Sequence, residues 1–128
     1  MFLKDQIALV TGGSRGIGRG IVLALAKEGA KVAFVYKGNQ EAADKLVGEV
    51  AQAGGVAQAI QGDVAQPDAA TRIVEKVLSD WGRIDILVNN AGIIRDGLFV
   101  RMEPADWDAV PVTNLGGTFH FCRAVAGQ

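Results

Sequence analysis

Four runs of strand length, apolar almost throughout, alternate along this chain with stretches of helix length. The first run covers residues 6–10 (QIALV) and is closed by Thr11-Gly12-Gly13. A helical pattern follows over 17–28, with Ile21, Val22 and Leu25 on one face and Gly29 as its stop. Residues 31–36 (KVAFVY) form the second strand, and 41–53 a second helix ended by Gly54-Gly55. Residues 56–60 form a third, weaker strand. Pro67 opens a third helix at a favoured first-turn position, and that helix runs to about Trp81. Residues 84–88 (IDILV) are the fourth strand, and Pro104 opens a fourth helix whose pattern continues to residue 128. Strands without apolar/polar alternation are buried on both faces, and β-α-β units of this kind build a parallel sheet with right-handed crossovers. The expected strand order is 3-2-1-4. Its switch point lies between the first and fourth strands, where a ligand binds beyond the strand C-termini.

Three motifs fall on loops at that edge. Thr11-Gly12-Gly13-Ser14-Arg15-Gly16-Ile17-Gly18 joins the first strand to the first helix. Its glycines let the backbone turn sharply and approach a pyrophosphate without Cβ clashes, and the helix start offers free N–H groups and a positive dipole end. The spacing is G-x-x-x-G-x-G, and in isolation such a loop also reads as a tight strand–helix turn. Asn89-Asn90-Ala91-Gly92 follows the fourth strand, across the switch point. Gly62-Asp63-Val64 follows the third, where a carboxylate and a backbone N–H suit an adenine edge; alone, Asp63 reads better as a helix cap or turn residue. Together the three predict a dinucleotide site made by Gly12, Ser14, Arg15, Gly16, Ile17, Gly18, Asp63, Val64, Asn90, Ala91 and Gly92. The expected fold is a Rossmann-type doubly wound α/β domain over residues 1–128, truncated after its fourth helix.

Through T-G-G-S-R-G-I-G, D-V and I-D-I-L-V-N-N-A-G the sequence resembles the short-chain dehydrogenase/reductases. Within them it is most similar to the bacterial 3-oxoacyl-[acyl-carrier-protein] reductases, through residues 91–102 (AGIIRDGLFVRM), Asp106-Trp107 and Thr113-Asn114-Leu115. The resemblance spans the whole chain but about the first half of a family member. It implies an Asn, Ser, Tyr, Lys tetrad, in which Tyr protonates the substrate carbonyl as hydride arrives, Lys lowers the tyrosine pKa and holds the ribose, and Asn holds a relay water. Asn114 matches the tetrad Asn. The other members have no counterpart: the only tyrosine is Tyr36, and position 40, where Tyr-x-x-x-Lys would need lysine, is Gln40. The expected activity is therefore NADPH-dependent reduction of a 3-oxoacyl thioester by the complete protein. The 128 residues alone are expected to be inactive. A non-catalytic nucleotide-binding or interaction fragment, and another reductase such as an acetoacetyl-CoA reductase, stand as alternatives. Pro111 is unusual for the family; a mid-helix proline costs about 3 kcal/mol and lies close enough to Asn114 to disturb it.

Cofactor choice follows from charge. A carboxylate after the second strand binds the ribose 2′-hydroxyl of NAD, whereas cations there suit the 2′-phosphate of NADP. This strand ends in Tyr36-Lys37-Gly38-Asn39 with no acid before Glu41, and Arg15 lies in the glycine loop facing the same region. Lys37 and Arg15 therefore favour NADP(H), although Lys37 also reads as a solvated side chain.

A net charge of −1 offers no global field for nucleic acid or an anionic membrane. The N-terminus lacks a signal-peptide core, no apolar run approaches membrane length, and the single cysteine excludes an internal disulfide, so a cytoplasmic location is expected. No Cys/His cluster suggests a metal site. His120, Cys122, Trp81 and Trp107 read as packing or surface residues, and Arg95 and Arg101 as a solvated loop that could also meet an acyl carrier protein. The expected partners are an acyl thioester, free or carrier-bound, and either further copies of the chain or a complementing chain, because the fourth strand would otherwise be an exposed edge.

Overall fold

The computed structural model describes residues 2–12, 16–64 and 66–90. The elements are β1 (Ile7–Thr11), α1 (Gly16–Lys27), β2 (Lys31–Tyr36), α2 (Gln40–Gln52), β3 (Val56–Gln61), α3 (Pro67–Trp81) and β4 (Ile86–Val88). The four strands form one parallel sheet in the order β3-β2-β1-β4, the Rossmann-type doubly wound arrangement that the alternating pattern predicts.

Alternate side chains of the central strands serve opposite faces. Ala8, Val10, Val32 and Phe34 pack with Val22 of α1 and with Ala43, Leu46 and Val50 of α2. Ile7, Leu9, Ala33 and Val35 pack with Ala70, Ile73, Val74 and Val77 of α3. Every residue of β1 is buried, as are four consecutive residues of β2, so a polar side chain at almost any of these positions would lose its water on one face or the other. Phe34 is among the largest side chains fully removed from solvent, and truncating such a residue to alanine costs about 3–5 kcal/mol. Trp81 packs against the α3-side core, as expected of an anchor, and its ring lies beneath the Lys31 ammonium at 6.0 Å.

The helices end where their sequence provides a stop. Gly82 takes a left-handed conformation (φ 87°) and its N–H returns to Leu78 O at 2.8 Å, closing α3. Asn39 caps α2 by accepting from Ala42 N at 3.0 Å. β2 and α3 keep the expected bounds, β1, α1, α2 and β3 shift by a single residue at one end or both, and β4 is shorter than the sequence pattern. β1 runs one residue further, because Thr11 still pairs with Val35. β4 starts at Ile86, two residues later than expected. There the Asp85 carboxylate accepts from Ile7 N at 2.9 Å and from Arg83 Nε at 3.0 Å, and so takes the N–H that a backbone carbonyl would take in a continued ladder. The expected fourth helix, with Trp107, Pro111, Asn114, His120 and Cys122, lies outside the described residues. Among the described residues no helix is long and apolar enough to cross a membrane.

Candidate functional site

The C-terminal ends of β1 and β4 lie side by side at the switch point, and Thr11 joins them. Its hydroxyl donates to Val88 O at 3.4 Å and accepts from Asn90 N at 3.0 Å. Thr11 is only 3 % exposed and is the one buried polar residue among those described, so its hydroxyl depends on these protein partners. The Asn90 side chain then reaches across the gap, Nδ2 donating to Gly12 O at 3.2 Å. Gly12 N in turn donates to Val35 O at 3.0 Å, which ties the start of the glycine loop to β2. Sequence reasoning placed Asn90 and Gly12 here but gave Thr11 no role. The available signal was a hydroxyl residue ending an otherwise apolar strand.

The glycines are required for geometric reasons that can be stated position by position. Gly12 and Gly16 hold φ of 68° and 63°, in the left-handed region that side chains disfavour. Gly18 lies on the inner side of α1, where a Cβ would stand 2.0 Å from Gly12 O and 2.5 Å from Asn90 Nδ2. The helix start can therefore lie directly against the β1 and β4 ends only while residue 18 has no side chain. A Cβ on Gly16, by contrast, would meet nothing within 4 Å. The start of α1 is thus closed against the sheet at Gly18 and open at Gly16. α1 carries no acidic residue in its first turn, so its dipole is left uncompensated by the helix itself. Ile17, 79 % exposed, stands at the same opening. Among the described residues the cradle suits a phosphate-bearing group: accessible backbone, a helix start whose first turn carries no acid, and no Cβ at Gly16 or Gly18.

The second wall comes from the ends of β2 and β3. Val64 is buried in the α3-side core, and Asp63 is half-buried. Asp63 O accepts from Gln66 N at 3.0 Å, so the residue does shape the turn into α3, but the helix cap position is Gln66 and carries no side-chain capping bond. The Asp63 carboxylate instead lies 3.6 Å from Lys37 Nζ. This revises the charge expected after β2. The sequence places no acid between Tyr36 and Glu41, yet the fold brings one there from the β3 loop. Gly62 also permits close packing, since a Cβ on it would lie 2.7 Å from Ile73 Cδ1 of α3.

Of the predicted site residues, Gly12, Gly16, Gly18 and Asn90 form one contiguous cradle, with Ile17 exposed at its opening, and Lys37 and Asp63 pair beside Val64 at the neighbouring strand ends. Ser14, Arg15, Ala91, Gly92 and Asn114 lie outside the described residues. Among the described residues, no three His, Cys, Asp or Glu side chains are grouped to hold a metal ion.

A parallel sheet of order 3-2-1-4 with a glycine cradle at its switch point defines the class, and comparison with known proteins gives the family. The short chain dehydrogenase family profile matches residues 6–128, and the chain belongs to that family. A 3-oxoacyl-[acyl-carrier-protein] reductase of Synechocystis sp. is 48 % identical over 124 residues, covering 97 % of this chain and 50 % of the relative. An acetoacetyl-CoA reductase of Shinella zoogloeoides is 46 % identical over 121 residues, 94 % of this chain and 48 % of the relative. The crystal structure of a short-chain dehydrogenase from Burkholderia cenocepacia in complex with NADP superposes with a TM-score of 0.94 at 41 % identity, over 100 % of this chain and 52 % of that one. The chain thus spans about half the length of the curated relatives it matches.

Proposed function

We propose that this chain is the NADP(H)-binding half of an oxidoreductase that reduces a 3-oxoacyl thioester to the 3-hydroxyacyl thioester. The observation that carries the reading is the cradle at the switch point, where Gly12, Gly16 and Gly18 bring bare backbone and a helix start to one place and Asn90 braces it. In this reading Gly12, Ser14, Arg15, Gly16, Ile17 and Gly18 receive the pyrophosphate. Asp63 and Val64 meet the adenine edge. Arg15 and Lys37 face the 2′-phosphate, and Asn90, Ala91 and Gly92 line the opposite wall. The bound reduced nicotinamide supplies the hydride for the 3-carbonyl carbon. Asn114 holds a water in the path that returns a proton to the carbonyl oxygen. The tetrad Ser and Tyr-x-x-x-Lys do not occur in these 128 residues, and the reading gives proton donation to the complete protein. Two relatives named for acyl-carrier-protein-linked and coenzyme-A-linked substrates share the 3-oxoacyl thioester as their chemistry, which supports that class.

Titration calorimetry with NADP⁺ and NAD⁺ tests the cofactor assignment. NADP⁺ is expected to bind more tightly, and Arg15→Ala to remove most of the difference, since a charge-assisted contact to phosphate contributes roughly 1.5–3 kcal/mol. Equal affinities in the unmutated chain overturn it. The 128 residues alone are expected not to oxidise NADPH with an acetoacetyl thioester, because a positioned acid is worth roughly 10²–10⁴ in rate. Turnover near 1 s⁻¹, an ordinary enzymatic rate, would refute the division of labour.

A further inference from the structure

The pairing of Lys37 with Asp63 is built into the sheet and is more than a meeting of two long side chains. β2 and β3 pair through Tyr36 and Gln61, the last residues of each strand. Beyond that pair, Gly62 N donates to Tyr36 O at 2.9 Å and Gln61 Nε2 donates to Lys37 O at 3.3 Å. The two turns are therefore stitched by backbone and side chain, and Lys37 Nζ is delivered 3.6 Å from Asp63 Oδ2. Lys37 keeps 78 % of its side-chain surface in solvent while Asp63 keeps 33 %, so the carboxylate is the more fixed partner and the ammonium the one that can turn elsewhere.

We propose that Asp63 is a specificity-determining residue, an internal rival that competes with the cofactor's 2′-phosphate for Lys37. The proposal rests on the NADP(H) reading above. An ammonium beside a carboxylate presents little net charge, so an incoming phosphate gains only part of the Lys37 field. A 2′-hydroxyl brings no charge and is indifferent to both. The adenine contact assigned to Asp63 is common to NADP and NAD, and it cancels when the two affinities are divided. The ratio of affinities thus isolates what Asp63 does to the 2′-phosphate alone.

Affinities for NADP⁺ and NAD⁺ are measured by calorimetry on the full chain, at low ionic strength, for the unmutated protein, Asp63→Asn, Lys37→Met and the double variant. Asp63→Asn is expected to raise the preference for NADP⁺ about two- to fivefold, the range an exposed ion pair commands. In the Lys37→Met background the same change is expected to yield less than half of that gain. An unchanged or lowered preference in Asp63→Asn, with the unmutated protein still favouring NADP⁺, overturns the rivalry and leaves the cofactor reading intact. A gain that persists undiminished without Lys37 also overturns it, because the carboxylate would then act on the phosphate directly. No preference in the unmutated protein overturns the cofactor reading, and the rivalry with it. Asp63→Ser serves as the second neutral variant should Asp63→Asn not fold.

Discussion

Gly18 shows how much one hydrogen can decide. Its would-be Cβ meets a backbone oxygen, Gly12 O, and the nitrogen that braces it, Asn90 Nδ2. Backbone cannot rotate out of the way as the end of a long side chain can, so Gly18→Ala must push α1 off the strand ends. Overpacking of this kind costs roughly 1–3 kcal/mol, and here it also opens the cradle. Gly20, two residues along the same helix, is exposed, and a Cβ there meets nothing within 4 Å. Gly20→Ala should therefore stabilise by about 0.5–1 kcal/mol through helix propensity. Urea unfolding of the two variants should move in opposite directions; equal shifts would mean that the contact at Gly18 is not the cause. At this scale the sequence was legible where backbone conformation dictates the residue. Glycine spacing and the Asn-Asn-Ala-Gly run after an apolar strand singled out Gly12, Gly16, Gly18 and Asn90, which the fold groups at the switch point. It was not legible for Thr11, whose role is a hydrogen bond to a residue 79 positions away, nor for the Lys37–Asp63 pair, which exists only because the sheet places β3 beside β2.

Elements were legible in order and kind, because unbroken apolar runs and capping glycines act locally, whereas their ends depend on side chains from elsewhere. Asp85 shortened β4 in this way, and Asp80 provides a second tertiary tie. Asp80 is in the last turn of α3 and accepts from Gln58 Nε2 of β3 at 2.8 Å and from Lys76 Nζ at 3.2 Å. The Gln58 hydrogen bond and then the Lys76 hydrogen bond hold its carboxyl below the ordinary value of 3.8 against a smaller opposing effect of burial, and the Lys76 charge adds least. A carboxyl with a lowered folded-state pKa adds stability that is present above the ordinary value and is lost as pH falls through the folded one. The contribution of this β3–α3 tie should thus be intact at pH 5 and above and fade below about pH 4. Urea midpoints of the unmutated chain and Asp80→Asn should differ at neutral pH and converge as pH falls through the lowered folded-state value, the effect being small because the pair is exposed. Parallel profiles from neutral pH into the acid range would show that the Asp80 charge does nothing for the fold.

At the scale of the molecule, the strand order leaves β3 and β4 as the two edges among the described residues, and the edges differ in character. β3 carries polar Gln58 and Gln61, and its end residues are exposed, as befits a sheet margin. β4 is Ile86-Leu87-Val88, without a charge, and every residue is only half-buried. Leu87 lies against the α3-side core and Ile86 and Val88 against the core beneath α1 and α2, so this strand is apolar towards both faces, the pattern of a strand built for the interior of a parallel sheet. The order 3-2-1-4 was legible from the alternation of elements and the position of the glycine loop, and the same reading marked the fourth strand as central in type. An apolar strand with one side unpaired offers its N–H and C=O groups to another chain. Expressed as these 128 residues, the protein is expected to self-associate, its mass by light scattering on size exclusion rising with concentration and falling towards the monomer on dilution. Pairing at β4 also predicts that the amides of Ile86, Leu87 and Val88 gain protection from hydrogen exchange as concentration rises, while those of β3 do not. A monomer of concentration-independent mass with a cooperative unfolding transition would mean that residues of this chain close the β4 edge themselves.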